Sequence, residues 1–153
     1  MLLIGDIHLQ AKYTHDILQA IRDYVAKHEN EQHIVFVGDY VYHFSYHRKS
    51  LLSLFALFVE LYQQGKHVYV LAGNHDWLGE HFVFAEGQYA IDALKAVNGY
   101  GKGSLHFITK PRLTQIEGQH VYFLPFLLNK EDLVVEEGAT SGHDPALAIV
   151  KES

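Results

Sequence analysis

Three short apolar runs, each followed directly by a polar motif, constrain the fold of this chain more than any other feature. The runs cover residues 2–4, 33–37 and 67–72 and consist mainly of aliphatic side chains. Nearly unbroken apolar runs of this length are typical of strands that are buried on both faces, as in a parallel sheet. We therefore predict three central strands, each with a polar motif at its carboxyl end.

Two helices are predicted between these strands. Residues 14–28 place apolar side chains at helical spacing, and residues 48–64 form a second apolar helical stretch that Gly65 ends. The order strand, helix, strand, helix, strand predicts a parallel sheet with right-handed crossovers. All strands of such a sheet end at the same edge, where open α/β folds bind their ligands.

The polar motifs bring metal-binding residue types to that edge. The candidates are Asp6, His8, Asp39, Asn74 and His75. Carboxylate and amide oxygens favour Mn²⁺, Mg²⁺ or Fe, and imidazole extends the choice to Zn²⁺, Ni²⁺ and Co²⁺. Asp39 has two oxygens and can bridge two ions that lie about 3.5–4 Å apart, the spacing at which paired ions activate water and hold phosphoryl oxygens. His75 directly follows a ligand, so its side chain is placed to face the phosphate and protonate the leaving oxygen.

The series Asp-x-His, Gly-Asp and Gly-Asn-His-Asp resembles the motifs of the calcineurin-like metallophosphoesterase superfamily over the first half of the chain. The resemblance implies an α/β fold with a metallophosphoesterase-like sheet core and flanking helices, with an incomplete four-layer αββα sandwich as one form of it. It also implies two divalent cations, with Mn²⁺ favoured. By the same resemblance, the roles are as follows: Asp6 and His8 bind the first ion, Asp39 bridges, Asn74 binds the second ion, and His75 is the catalytic histidine.

The residues after Asp39 indicate a subgroup. They lack the Asp-Arg-Gly continuation of protein Ser/Thr phosphatases, and the third motif ends in Asp76 where those enzymes have Glu. Residues 43–50 are similar to SbcD-like DNA-repair nuclease subunits, although His43 comes four residues after Asp39 and the histidine of that family comes three after. This resemblance implies a phosphodiesterase or nuclease, and His43 and Asp76 are the predicted substrate-binding residues.

Aromatic residues follow the metal motifs directly. They are Tyr40, Tyr42, Phe44, Tyr46 and Trp77. Such side chains stack on nucleobases in proteins that bind single-stranded nucleic acid, but they equally serve to pack a loop on its domain. Both interpretations remain open for this set.

The resemblance weakens in the second half. The superfamily has a later histidine and a Gly-His-x-His turn, and the nearest match here, residues 142–145, has Pro145 in the position of the second histidine. We predict a surface loop there, and no strand at residues 136–141. A helix at 88–97, a loop at 98–103, strands at 104–109, 112–116 and 120–123, and a hairpin turn at 117–118 are also predicted. His106 and His120 are expected to be structural residues of these strands.

Two functional interpretations follow. In one, residues 1–153 are a single metallophosphoesterase-like domain that lacks the C-terminal part of the fold and belongs to a longer enzyme. In the other, the chain is a non-catalytic metal-binding or protein-interaction module on the same scaffold. A partner chain or a second copy that completes the site is compatible with either interpretation.

Composition sets wider bounds on the function. The 153 residues are 48% hydrophobic, as expected for one globular domain, and contain no cysteine. A net charge of −6 disfavours a broad basic face for nucleic acid, so a small phosphodiester substrate remains open. The amino terminus lacks the basic region of a signal peptide, and the longest apolar stretch is too short to span a bilayer. Cytoplasmic localisation without membrane contact is the expectation.

Overall fold

A computed structural model describes residues 1–41, 48–98, 102–128 and 136–137 of the chain. Its elements, in chain order, are β1 (Leu2–Ile4), α1 (Thr14–Lys27), β2 (His33–Phe36), α2 (Arg48–Gln63), β3 (His67–Leu71), β4 (Trp77–Leu78), β5 (His81–Phe82), α3 (Gly87–Asn98), β6 (Ser104–Ile108), β7 (Arg112–Ile116), β8 (Gln119–Phe123) and β9 (Glu136–Glu137). No helix within these ranges is long and apolar enough to cross a membrane.

The centre of the fold is a four-stranded sheet in the order β1-β2-β3-β6, and every neighbouring pair is parallel. The three predicted central strands are confirmed, and the structure ends β2 and β3 one residue earlier than the sequence suggested. Helices α1 and α2 connect these strands as predicted. The α/β fold class with a parallel core and flanking helices is therefore confirmed, and all four strands end at one edge.

The two faces of this sheet are buried by different elements. On one face, alternate strand residues such as Ile34, Phe36 and Val68 are completely buried in a core that includes apolar residues of all three helices. On the opposite face, Val35 and Tyr69 belong to a second core with residues of the antiparallel pair β7–β8. The described residues thus form three layers, namely helices, parallel sheet and antiparallel sheet. The edge that carries the polar motifs is the end of the middle layer.

Two small elements differ from the sequence-based expectation. The hairpin β4–β5 follows the third polar motif and was not predicted, because two-residue strands are too short to show an alternating pattern. Strand β9 pairs in parallel with β7, so the prediction of no strand at 136–141 is wrong for Glu136 and Glu137. Glutamate is disfavoured in strands, which made this pairing invisible in the sequence. The glycine-histidine stretch at 142–145 lies outside the described residues.

Histidines occupy the sheet face that packs against β7–β8. His106 on β6 stacks on Tyr69 with 5.4 Å between ring centroids, and His33 stacks on His67 at 4.8 Å. Burial, and then the positive charges of Arg112 and Lys95, lower the pKa of His106 to about 4. Burial is also the main cause that lowers the pKa of His33, and neighbouring His67 adds to it. The folded protein therefore keeps His106 neutral in mildly acidic solution.

We expect acid to destabilise the fold through His106. Above about pH 6.5 the His106 ring is neutral in both the folded and the unfolded chain, so the folded protein has its full stability. As the pH falls from about 6.5 to 4, the unfolded chain takes up a proton that the folded chain excludes, so stability on the order of 3 kcal/mol is lost. Urea unfolding across this pH range measures the loss. His106→Gln should flatten the pH dependence and the exposed control His120→Gln should not; equal slopes for His106→Gln and the unsubstituted protein would contradict the assignment.

Candidate metal centre

Three loops at the carboxyl edge of the sheet form the candidate site. They are the first loop (residues 5–8, after β1), the second loop (38–40, after β2) and the third loop (73–76, after β3). Ligand atoms of Asp6, His8 and Asp39 lie within 4.8 Å of one another. The structure thus brings together side chains that are 33 positions apart between Asp6 and Asp39. This clustering follows directly from the parallel order of the strands.

The backbone of the first two loops is strained at the candidate ligands. Asp6, His8 and Asp39 have φ angles of 58°, 44° and 56°, in the left-handed region that residues other than glycine rarely adopt. Among the described residues, only one further non-glycine residue has a positive φ, Glu117 in the β7–β8 turn. Each such conformation costs about 1–3 kcal/mol, and strain of this kind concentrates at functional sites.

The orientation of His8 suits a metal ligand. Its Nδ1 lies 3.3 Å from the carbonyl oxygen of Val41, to which an N–H at that position donates. This contact fixes the orientation of the ring and turns Nε2 toward Asp6 Oδ1, which lies 2.6 Å away. A cation bound between these two atoms would replace the proton that they share without it. The Asp6 side chain is 83% exposed, so this pair opens to solvent. A hard carboxylate oxygen and an imidazole nitrogen side by side fit a borderline divalent cation.

Asn74 extends the site on the other side of Asp39. With its nitrogen turned toward Asp39, the Asn74 amide donates to both carboxylate oxygens at 3.1 and 3.2 Å, and its oxygen accepts from His75 Nε2 at 3.2 Å. In the opposite orientation, the amide oxygen faces two carboxylate oxygens, an arrangement that becomes favourable when a cation binds beside them. The amide can therefore satisfy Asp39 without an ion and serve as an oxygen ligand with one.

His75 lies at the rim of the same cluster and is half-buried. Its backbone N–H donates to Asp39 Oδ1 at 3.2 Å, and its ring meets the ring of His8 edge-on at 5.7 Å between centroids. The imidazole thus lies beside two candidate ligands, His8 and Asn74. The backbone of His75 is held by Asp39, the carboxylate expected to bridge two ions.

Asp76 is placed differently from the expectation for a substrate-binding residue. Its side chain is fully buried, and its oxygens accept the backbone N–H groups of Gly73 at 2.8 Å, Asp39 at 2.7 Å and Tyr40 at 2.7 Å. Burial raises the pKa of Asp76, and the three N–H donors act against this rise. A carboxylate inside the protein with three internal donors is not positioned to contact a substrate in solvent. Sequence reasoning missed this internal role.

The aromatic residues near the motifs have separate outcomes. Tyr40 is completely buried, and its hydroxyl donates to the carbonyl oxygen of Leu71 at 2.7 Å, so packing is the correct interpretation for Tyr40. Trp77 is partly buried, with its ring 5.9 Å from that of Phe82. The predicted substrate residue His43 lies outside the described residues, as do the aromatic residues at 42, 44 and 46.

The fold places Asp and His donors for a divalent cation at the carboxyl edge of a parallel sheet. A sequence model of the family described as calcineurin-like phosphoesterase matches residues 1–146. Since this match spans nearly the whole chain, the protein belongs to the calcineurin-like phosphoesterase family, whose members bind divalent metal ions. A search of curated proteins found no match.

Proposed function

We propose that this protein hydrolyses phosphodiesters with the help of two divalent cations, and that Mn²⁺ is the preferred ion. Asp6 and His8 would hold one ion, Asn74 would hold the other, and Asp39 would bridge them. The observation that carries this proposal is the convergence of Asp6, His8 and Asp39 within 4.8 Å, with the Asn74 amide against Asp39. When bound, such ions activate water and polarise the phosphoryl oxygens.

His75 is proposed as the catalytic histidine. Its Nε2 lies within 3.2 Å of the Asn74 amide, at the edge of the cluster, and its backbone is tied to Asp39. A proton held at this ring can pass to the departing oxygen as the bond to phosphorus breaks. General acid catalysis of this kind contributes about 10²–10⁴-fold to the rate.

For the substrate, we propose a phosphodiester of the nuclease type, in DNA or RNA. The support is the likeness of residues 43–50 to SbcD-like nuclease subunits. The net charge of −6 works against a broad nucleic-acid footprint on this chain alone. A partner chain or a second copy would then supply further phosphate contacts. The alternative function is a metal-binding module without turnover.

The test compares hydrolysis of bis(p-nitrophenyl) phosphate and p-nitrophenyl phosphate by the full chain in Mn²⁺ and in EDTA. We expect preferential hydrolysis of the diester, no hydrolysis in EDTA, and a loss of at least about 100-fold in His75→Ala. His120→Ala, an exposed histidine on β8, is the control and should retain full activity. Activity that survives both EDTA and His75→Ala would contradict the proposal. Mn²⁺ binding without any hydrolysis would favour the metal-binding module.

A further inference from the structure

The carboxylate of Asp76 connects the two loops that carry Asp39 and Asn74. Two of its three donors, the N–H groups of Asp39 and Tyr40, belong to the second loop. The third donor, Gly73, belongs to the third loop, as does Asp76 itself. All three distances lie between 2.7 and 2.8 Å, and the side chain has no solvent exposure. These are charge-assisted hydrogen bonds without competition from water.

The second loop presents its donors because of its backbone conformation. Gly38 and Asp39 have φ angles of 100° and 56°, and the successive N–H groups of Asp39 and Tyr40 point at one anion. Consecutive N–H groups that converge in this way form an anion-binding concavity. In this protein, the anion in the concavity is a side chain from the neighbouring loop.

A second hydrogen bond crosses between the same loops in the opposite direction. Asp39 Oδ1 accepts the backbone N–H of His75 at 3.2 Å. Asp76 of the third loop thus holds the backbone of the second, and Asp39 of the second loop holds the backbone of the third. The two carboxylates have like charge: burial is the main cause that raises the pKa of Asp76, and the nearby Asp39 adds to it. The N–H donors are what allows these acidic groups to stay close together.

The chemistry of the position requires a carboxylate. An ionised carboxylate has two oxygens that only accept hydrogen bonds, which matches three converging donors. An asparagine of the same shape would offer one oxygen and would turn its own N–H groups toward at least one backbone N–H. The isosteric amide therefore keeps the volume and loses part of the cross-loop connection.

We propose that Asp76 is the positioning residue of the metal centre, holding Asp39 and Asn74 in register so that a cation binds between loops that are already placed. The inference rests on the proposed function, because it assumes that these loops bind metal ions. Asp76 itself touches neither ion nor substrate. It acts through the backbone of Asp39 and through the turn that carries Asn74.

The test uses the full chain and the variant Asp76→Asn. Substitution of a residue that hydrogen-bonds to a metal ligand and orients it typically weakens metal binding about 10–100-fold. Calorimetric titration with Mn²⁺, well below the unfolding temperature, should therefore show at least about 10-fold weaker binding by Asp76→Asn. Asp92→Asn is the matched control, since Asp92 is exposed on α3 and accepts one hydrogen bond from Gln88 at 3.1 Å. It should bind Mn²⁺ like the unsubstituted protein.

Amide hydrogen exchange by NMR provides the readout that does not need the metal. In the unsubstituted protein, the amides of Gly73, Asp39 and Tyr40 should all be protected, and Asp76→Asn should reduce the protection of all three together. Unprotected amides in the unsubstituted protein would overturn the proposal even if the variant does not fold. Unchanged Mn²⁺ affinity in a folded Asp76→Asn would overturn it as well, because a purely structural residue lowers stability alone. Failure of the unsubstituted protein to bind Mn²⁺ would instead overturn the proposed function, and the positioning role with it.

Discussion

Replacement of Gly73 by alanine is expected to lower the free energy of unfolding by more than about 3 kcal/mol and to abolish tight Mn²⁺ binding. A Cβ atom at this position would overlap the backbone nitrogen and Oδ1 of Asp39, and it would lie 2.9 Å from Asp76 Oδ2. Its neighbours are backbone and two buried or half-buried carboxylates, none of which can move without separating the second and third loops. The substitution thus damages packing and the metal centre together.

Gly118→Ala is the matched control for this prediction. Gly118 has a φ of 79° in the β7–β8 turn, and a Cβ there would meet no atom within 4 Å. Its substitution adds only the strain of a left-handed backbone, about 1–2 kcal/mol, far from the metal centre. Urea unfolding in EDTA measures both variants, and calorimetry measures their Mn²⁺ binding. A Gly73→Ala variant that is no less stable than Gly118→Ala would contradict the close packing of the loops.

Asp39→Asn is expected to weaken Mn²⁺ binding and to reduce diester hydrolysis by at least about 100-fold each, because a bridging ligand contributes several kcal/mol. A carboxylate oxygen of Asp39 lies within 4.8 Å of the ligand atoms of Asp6 and His8, and the Asn74 amide contacts the same carboxylate. No other carboxylate among the described residues is placed in this way. The substitution removes the negative charge that two cations would share.

The free energy of unfolding of Asp39→Asn without metal should change little, because the hydrogen bonds weakened at Asn74 and His75 are offset by a loss of charge repulsion. Asp39 lies near the carboxylates of Asp6 and Asp76, so removing its charge relieves repulsion in the metal-free protein. Thermal unfolding in EDTA and in Mn²⁺ separates these effects: the unsubstituted protein should gain stability from Mn²⁺, and Asp39→Asn should not. Asp23→Asn, an exposed residue on α1, is the control. A stabilisation of Asp39→Asn by Mn²⁺ equal to that of the control would contradict the bridging role.

The sequence predicted the part of this fold that depends on burial. Strands β2 and β3 are covered on both faces, so their residues form nearly unbroken apolar runs with sharp ends. Parallel crossovers then place the strand ends together, and for this reason the sequence alone predicts that Asp6, His8 and Asp39 form a group, as they do in the structure. The same reasoning could not show that β6 joins the parallel sheet, because the spacing of apolar residues along the chain does not reveal which strand pairs with β3.

Local geometry was beyond the sequence. Nothing in the residue types shows that Asp6, His8 and Asp39 take left-handed backbone conformations, since these follow from packing and cross-loop hydrogen bonds. The resemblance predicts Asp76 as a substrate-binding residue, but burial and three backbone donors give it an internal role. The sequence offered no local signal for this role, because these hydrogen bonds run back to Gly73 and across to another loop, whereas an Asx-turn runs to a residue two positions on.

The most direct test is an anomalous diffraction measurement on crystals of the full chain soaked in Mn²⁺. The account predicts two peaks at the carboxyl edge of the parallel sheet, one between Asp6 and His8 and one beside Asn74, with an Asp39 oxygen close to both. A protein that binds Mn²⁺ elsewhere, with no peak near Asp39, would contradict it.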